Sequence, residues 1–253
     1  MIRRWLGAVR GATGFLTRLP VPYREGDWEA FRETPVAFPI VGFVAGAIAA
    51  VPFLAAETLS AATVALGYVL AVYAVTGIHH LDGVADLGDA LVVHGDVDRR
   101  REVLKDTTTG VGALLAVSLT IVALALAGLG LAGLPVRAAV GTALAAEVGT
   151  KLGTAALACF GTAGYEGMGR QFTAAVSSGS FVAPAIVALP AIALTWPHPA
   201  AAIALGGAVA GIGAPWTWAN RNLGGISGDI FGAANEIGRV AGAHAGVIAW
   251  TLL

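Results

Sequence analysis

Charge is what this chain has least of. Only 12% of its 253 residues are Asp, Glu, Lys or Arg, against roughly 25% in soluble domains, while 57% are hydrophobic. That balance excludes an ordinary soluble domain and marks a polytopic membrane protein. Neither sign dominates: 15 basic and 16 acidic residues leave a formal net charge of −1, so there is no electrostatic case for nucleic acid as a partner. Cysteine is almost missing too. The single Cys159 excludes an intramolecular disulfide framework and reads as a small buried hydrophobe. No cleavable leader is expected, because the basic N-terminus has only a short, interrupted apolar stretch and no clear cleavage site. Residues 1–35 therefore read as a retained interfacial segment.

Apolar length is what the chain does have. About twenty apolar residues cross a bilayer, and seven stretches qualify, at roughly 36–56, 59–78, 108–133, 137–160, 174–195, 199–219 and 230–253. Gly and Ala fill them, and small residues let helix backbones approach closely. The expected fold is an all-α transmembrane bundle of about seven spans, a single catalytic membrane domain over residues 1–253. Small-residue spans permit a homo-oligomer and equally permit a compact monomer. Residues 1–35, 79–107, 161–173 and 220–239 hold thirteen of the fifteen Lys and Arg, so the positive-inside rule puts the N-terminus and these loops in the cytoplasm. Only Glu57 and Glu147 of the acidic residues fall elsewhere. Insertion does not require that second asymmetry, which points to chemistry on the cytoplasmic face.

The first constellation follows directly on a span: His79-His80-Leu81-Asp82-Gly83-Val84-Ala85-Asp86-Leu87-Gly88-Asp89. At about 3.6 residues per turn, Asp82, Asp86 and Asp89 share one helix face. Three like charges there repel unless a cation lies among them, and a hard divalent ion such as Mg²⁺ takes carboxylate oxygens and carries phosphate. A merely solvated face is the competing reading, weakened by the cost of ionisable groups at a membrane boundary. The adjacent histidines point about 100° apart, so one helix does not give both to one metal; one of them remains a possible base. Beyond them, Arg99-Arg100-Arg101 meets either anionic headgroups or a polyphosphate. Lys105-Asp106-Thr107-Thr108-Thr109-Gly110 is either a helix cap or an anion site.

A second constellation lies in Asn220–Glu236. Gly224 and Gly225 free backbone N–H groups for phosphate, Ser227 either assists or merely caps a helix, and Asp229 and Glu236, seven apart, fall on one helix face. Two acidic helix starts at one membrane edge make a two-metal site an option. The stretch Gly164–Phe172 reads as either a flexible turn or a third part of the site. Glu147 and Lys151, four apart inside a span, read as an internal ion pair.

With these segments in view, the chain resembles the cobalamin synthase family, the adenosylcobinamide-GDP ribazoletransferases. The resemblance covers nearly the whole chain in order: Phe15-Leu16-Thr17-Arg18-Leu19-Pro20-Val21-Pro22, Phe38-Pro39-Ile40-Val41-Gly42, His80-Leu81-Asp82-Gly83 through Ala85-Asp86 to Asp89, Lys105-Asp106 followed by Gly110, and Gly224-Gly225-Ile226-Ser227-Gly228-Asp229 with Gly232-Ala233 and Glu236. It departs at Thr107-Thr108-Thr109, where a Ser-Arg or Pro-Arg type of sequence is more usual, and at Ser227, where Thr is common. The resemblance implies an Mg²⁺-dependent phosphotransferase of the cytoplasmic membrane. Such an enzyme moves the adenosylcobinamide-phosphoryl group of adenosylcobinamide-GDP onto α-ribazole or α-ribazole 5′-phosphate and releases GMP. Its implied metal ligands are Asp82, Asp86, Asp89, Asp229 and Glu236. Its implied substrate contacts are Lys105, Gly110, Gly224, Gly225 and Ser227, and Asp89, Asp106 or His80 is left to take the hydroxyl proton. Two other classes stand beside it. A CDP-alcohol-type membrane phosphotransferase also uses helix aspartates, but Asp86 follows Ala85 where that motif has arginine. A secondary transporter would place its site near the midplane and often shows internal repeats, and no repeat between the halves is evident.

Overall fold

The computed structural model describes residues 2–106 and 108–253, so Thr107 of the expected Lys105–Gly110 segment lies outside the described residues. Among them the fold is helical: α1 (Ile2–Leu16), α2 (Asp27–Arg32), α3 (Ala37–Ala49), α4 (Ala61–Thr76), α5 (His79–Val92), α6 (Val97–Val103), α7 (Val111–Ala132), α8 (Val136–Phe160), α9 (Met168–Thr173), α10 (Val182–Ala188), α11 (Ala200–Asn222) and α12 (Gly228–Leu252). The all-α expectation holds.

Among the described residues four helices are long and apolar enough to cross a membrane: Ala37–Ala55, in which α3 continues as a 3-10 turn, together with α7, α8 and α11. A fifth candidate is α4 with α5, a pair that turns through 98° at its joint. Four or five candidate spans among the described residues stand beside the expected seven, which length and composition do not confirm. Two of the seven stretches fall outside these five candidates. Over 174–195 the chain makes short pieces, a 3-10 turn at Ser178–Phe181, α10 and a second 3-10 turn at Leu189–Ala193. Pro190 stands at the start of that last turn and has no N–H to extend the ladder. The last stretch does form one 25-residue helix, α12, but Asn235, Glu236, Arg239 and His244 make it less apolar than the four spans.

Helix α8 runs through the middle, buried along most of its length against α3, α11 and α12. Its Ala146 and its Thr142 pack with Ala204 and Ala208 of α11 and Gly242 and Gly246 of α12. In a bilayer the apolar faces gain little by leaving lipid, so close packing of small side chains carries helix association. At one end of the bundle α1 lies on α2, held by Arg10, whose Nε donates to Asp27 Oδ2 at 2.6 Å. Beneath them is an aromatic cluster in which the Phe172 ring centroid lies 5.2 Å from Phe31, 5.6 Å from Phe38 and 5.5 Å from Phe231. That cluster forms a wall of the site.

Candidate active site

Gly77, at φ 71°, ends α4 and aims α5 across the end of the bundle. Helix α5 therefore leaves the direction of α4 at nearly a right angle. There it packs on α12 so closely that a Cβ at Gly83 would come within 3.0 Å of the Asp229 carbonyl oxygen and stand 3.1 Å from the Ala233 nitrogen. This glycine crossing brings Asp82 and Asp86 beside Asp229. Burial first, then the charges of Asp229, Asp82 and Asp89, push the Asp86 carboxyl up to about 7. Asp229, in the first turn of α12, is raised too, chiefly by burial, with Asp82 adding to it. Among the described residues none of these three carboxylates forms an ion pair with the chain. Nor do three His, Cys, Asp or Glu side chains already converge in metal-ligand geometry there.

Asp89 does different work. Its Oδ2 accepts the Gly110 N–H at 2.8 Å and its Oδ1 the Ala113 N–H at 2.9 Å. Both belong to the start of α7, whose own N-cap, Gly110, has no side chain to offer. A carboxylate there also meets the positive end of the helix dipole. Asp89 therefore caps a neighbouring helix, and Gly110 is its partner. Asp106 is exposed and accepts the Thr108 N–H at 2.9 Å, a turn contact that holds its carboxyl below the usual range. Glu236 is drawn inward: Arg239 Nη1 donates to its Oε1 at 2.5 Å, and Tyr73 Oη donates to its Oε2 at 3.4 Å. The face it shares with Asp229 turns into the bundle two turns on, away from the aspartates.

Three loops close the site. Ile226 N donates to Thr162 O at 2.8 Å, and Gly164 N to Ile226 O at 3.3 Å. Arg101 of α6 clamps both loops, its Nη2 donating to Leu223 O at 2.8 Å and to Gly164 O at 2.9 Å. That contact gives one arginine of the Arg99–Arg101 run a structural task. Gly225, at φ 143°, is packed so tightly against Gly164 that no Cβ fits. Gly224 and Gly225 thus join the loops and stay off the cavity wall. Ser227 caps α12, accepting the Ile230 N–H at 3.4 Å and donating to Asp229 Oδ2 at 3.2 Å.

Inside these loops is a cavity of about 640 Å³ with two kinds of wall. His79, His80, Asp82, Lys105, Ser227 and Asp229 form the polar side, and Phe15, Phe38, Phe172 and Phe231 form much of the apolar side. Tyr165, in the stretch read from the sequence as either a flexible turn or a third part of the site, lines the cavity too, with Arg101 and Lys105 each 5.3 Å from its ring centroid. Sequence reasoning also passed over Arg239 and Asn235. Their available signal was an arginine one turn past Glu236 on a helix too polar for lipid.

The family profile described as cobalamin-5-phosphate synthase matches residues 8–247. Among curated relatives, a Halorubrum lacusprofundi protein named adenosylcobinamide-GDP ribazoletransferase is 48% identical, covering 97% of this chain and 98% of its own length. A Haloquadratum walsbyi protein of the same name is 42% identical over 98% and 99%. One from Halobacterium salinarum is 54% identical over 75% of this chain and 96% of its own. No solved structure matches. An ordered set of motifs and a profile that spans the cavity and both acidic helices lead to one conclusion: the chain belongs to the cobalamin-5-phosphate synthase family.

Proposed function

We propose that this chain transfers the adenosylcobinamide-phosphoryl group from adenosylcobinamide-GDP to α-ribazole or α-ribazole 5′-phosphate. The ribazole 5′-oxygen forms the new P–O bond, the pyrophosphate bridge breaks, and GMP leaves. The observation that carries this reading is the cavity, which sets Asp82 and Asp229 opposite an aromatic wall with Lys105 beside them. A cavity of about 640 Å³ suits a nucleoside-sized ligand. In this reading the acceptor enters the cavity and the donor presents its pyrophosphate at the mouth.

Mg²⁺ fits the residues present. Unpaired carboxylates that raise one another's pKa call for a cation, and Mg²⁺ commonly takes one or two carboxylates and completes its shell with water and substrate phosphate. Asp82, Asp86 and Asp229 are the residues that would hold it. When bound, such an ion neutralises phosphoryl oxygens and the charge growing on the departing phosphate. The chain supplies the rest. Lys105 offers an ammonium at the mouth, where the pyrophosphate arrives. Phe172 and Phe231 seat the flat acceptor base, and the oriented 5′-hydroxyl gains the advantage of a held reactant. Asp89 fixes the start of α7 and thereby the far end of α5.

The charged loops at this end support a cytoplasmic mouth, the side where soluble nucleotides reside. The test is turnover by purified, reconstituted protein with and without Mg²⁺. Asp82→Ala and Asp86→Ala should each abolish GMP release while membrane insertion persists. Near-normal turnover by either variant sinks the metal assignment.

A further inference from the structure

Below the polar wall of the cavity lies a charged network that the transfer reading leaves unused. Glu147 and Lys151 of α8 meet Asn235, Glu236 and Arg239 of α12, all between 0% and 3% exposed. Arg239 is forked between two carboxylates: its Nε donates to Glu147 Oε2 at 2.7 Å and its Nη1 to Glu236 Oε1 at 2.5 Å. Lys151 Nζ lies 3.4 Å from Glu147 Oε1 and donates to Asn235 Oδ1. Two glutamates therefore face one lysine and one arginine, and the buried charges balance.

Asn235 connects this network to the cavity. Its Nδ2 lies 3.3 Å from Glu236 Oε1 and 3.1 Å from His80 Nδ1. The orientation of an amide is normally ambiguous, but two neighbours fix it here. The Lys151 ammonium has only donors, so the amide oxygen must face it. The Glu236 carboxylate has only acceptors, so the NH₂ must face that side. His80 Nδ1 stands on the NH₂ side. It must therefore be a bare acceptor, which leaves the ring hydrogen on Nε2. Glu236 does not compete for that position, because its Oε1 is 3.7 Å from Nδ1, beyond hydrogen-bond reach. His80 lines the cavity, and its Nε2 accepts or donates no hydrogen bond among the described residues.

We propose that Lys151 and Asn235 act as positioning residues that lock His80 as an Nε2–H donor aimed at an anionic oxygen in the cavity. Under the transfer reading, on which the identity of that anion rests, the oxygen belongs to the pyrophosphate of the donor. His80 is then not the group that removes the acceptor proton, since its free nitrogen already carries a hydrogen. The arrangement supplies a neutral donor to an anion beside the carboxylates without adding a further charge to the balanced network.

The test is the ¹⁵N spectrum of histidine-labelled protein, with His80 assigned by the signal that disappears in His80→Gln. The expected result is a bare Nδ1 and a protonated Nε2. A protonated Nδ1 overturns the proposal. Asn235→Asp puts an oxygen where the NH₂ faces the ring, so the hydrogen should move to Nδ1 and turnover should fall about a hundredfold, the usual loss on removing one donor to developing charge. If that variant does not fold, the wild-type spectrum still decides. In kinetics, His80→Gln, whose amide N–H reaches the Nε2 position, should lose less activity than His80→Phe; equal losses count against the donor role. The spectrum does not depend on substrate. A bare Nδ1 without GMP release overturns the transfer reading alone, and a protonated Nδ1 with GMP release overturns the lock alone.

Discussion

Gly83→Ala is the substitution that most sharply separates position from chemistry. It removes no carboxylate and adds one methyl group where α5 crosses α12. That methyl carbon would lie within 3.0 Å of the Asp229 carbonyl oxygen and 3.1 Å from Ala233 N, while ordinary contact begins at 3.4 Å. The obstacles are backbone atoms, so the helices must separate by something on the order of 0.5–1 Å. Overpacking of this kind costs about 1–3 kcal/mol of stability, which a bundle of this size should survive. Activity should suffer more. A displacement near 1 Å can cost about a hundredfold in rate, or about 2.7 kcal/mol of barrier, because Asp82 and Asp86 move away from Asp229 together. The assay is GMP release by reconstituted protein, with Gly206→Ala as control, since a Cβ there meets nothing within 4 Å. The control should run normally and Gly83→Ala should be slowed by one to two orders of magnitude. If the two variants perform alike, the crossing does not set the site geometry.

Other outcomes follow from the same contacts. Asp89→Ala strips the start of α7 of two carboxylate-held N–H groups and should cost about 1–2 kcal/mol in thermal unfolding; a loss of turnover with unchanged stability would instead make Asp89 part of the chemistry. Arg239→Met leaves Glu147 and Glu236 facing each other inside the bundle and should destabilise the protein by about 3–5 kcal/mol, read as lower yield and earlier melting; a normal melting temperature would contradict the balanced network. Under the proposed Mg²⁺ assignment, Asp86, whose carboxyl is pushed up to about 7, would give up a proton on taking the ion. The apparent Mg²⁺ affinity should therefore weaken as pH falls below about 7, by up to about tenfold per unit, and level off above it; a flat response between pH 6 and 8 would remove Asp86 from the ligand set.

The helical class, the shared face of Asp82 and Asp86 and the pairing of Glu147 with Lys151 were all legible in the sequence, because each depends on spacing along one helix. What escaped it depends on neighbours. Spacing alone did not reveal that the chain turns 98° between α4 and α5, at Gly77. Asp89 has the periodicity of a third site carboxylate, yet α7 brings two N–H groups to it from more than twenty residues away. Glu236 lies two turns from Asp229 on the same face, but that face meets Arg239 and the inside of the bundle. Apolar length alone suggested a span over 174–195, while Pro190 and two 3-10 turns break it into pieces.

The central claim is that Asp82, Asp86 and Asp229 form one cation-requiring site that displaces GMP. The most direct measurement is GMP release from adenosylcobinamide-GDP in the presence of α-ribazole, using reconstituted wild-type, Asp82→Ala and Asp229→Ala proteins across a Mg²⁺ titration. The expected result is Mg²⁺-dependent release by the wild type and none by either variant at any Mg²⁺ concentration. Release by both variants at the wild-type rate, or wild-type release that persists under chelator, would contradict it.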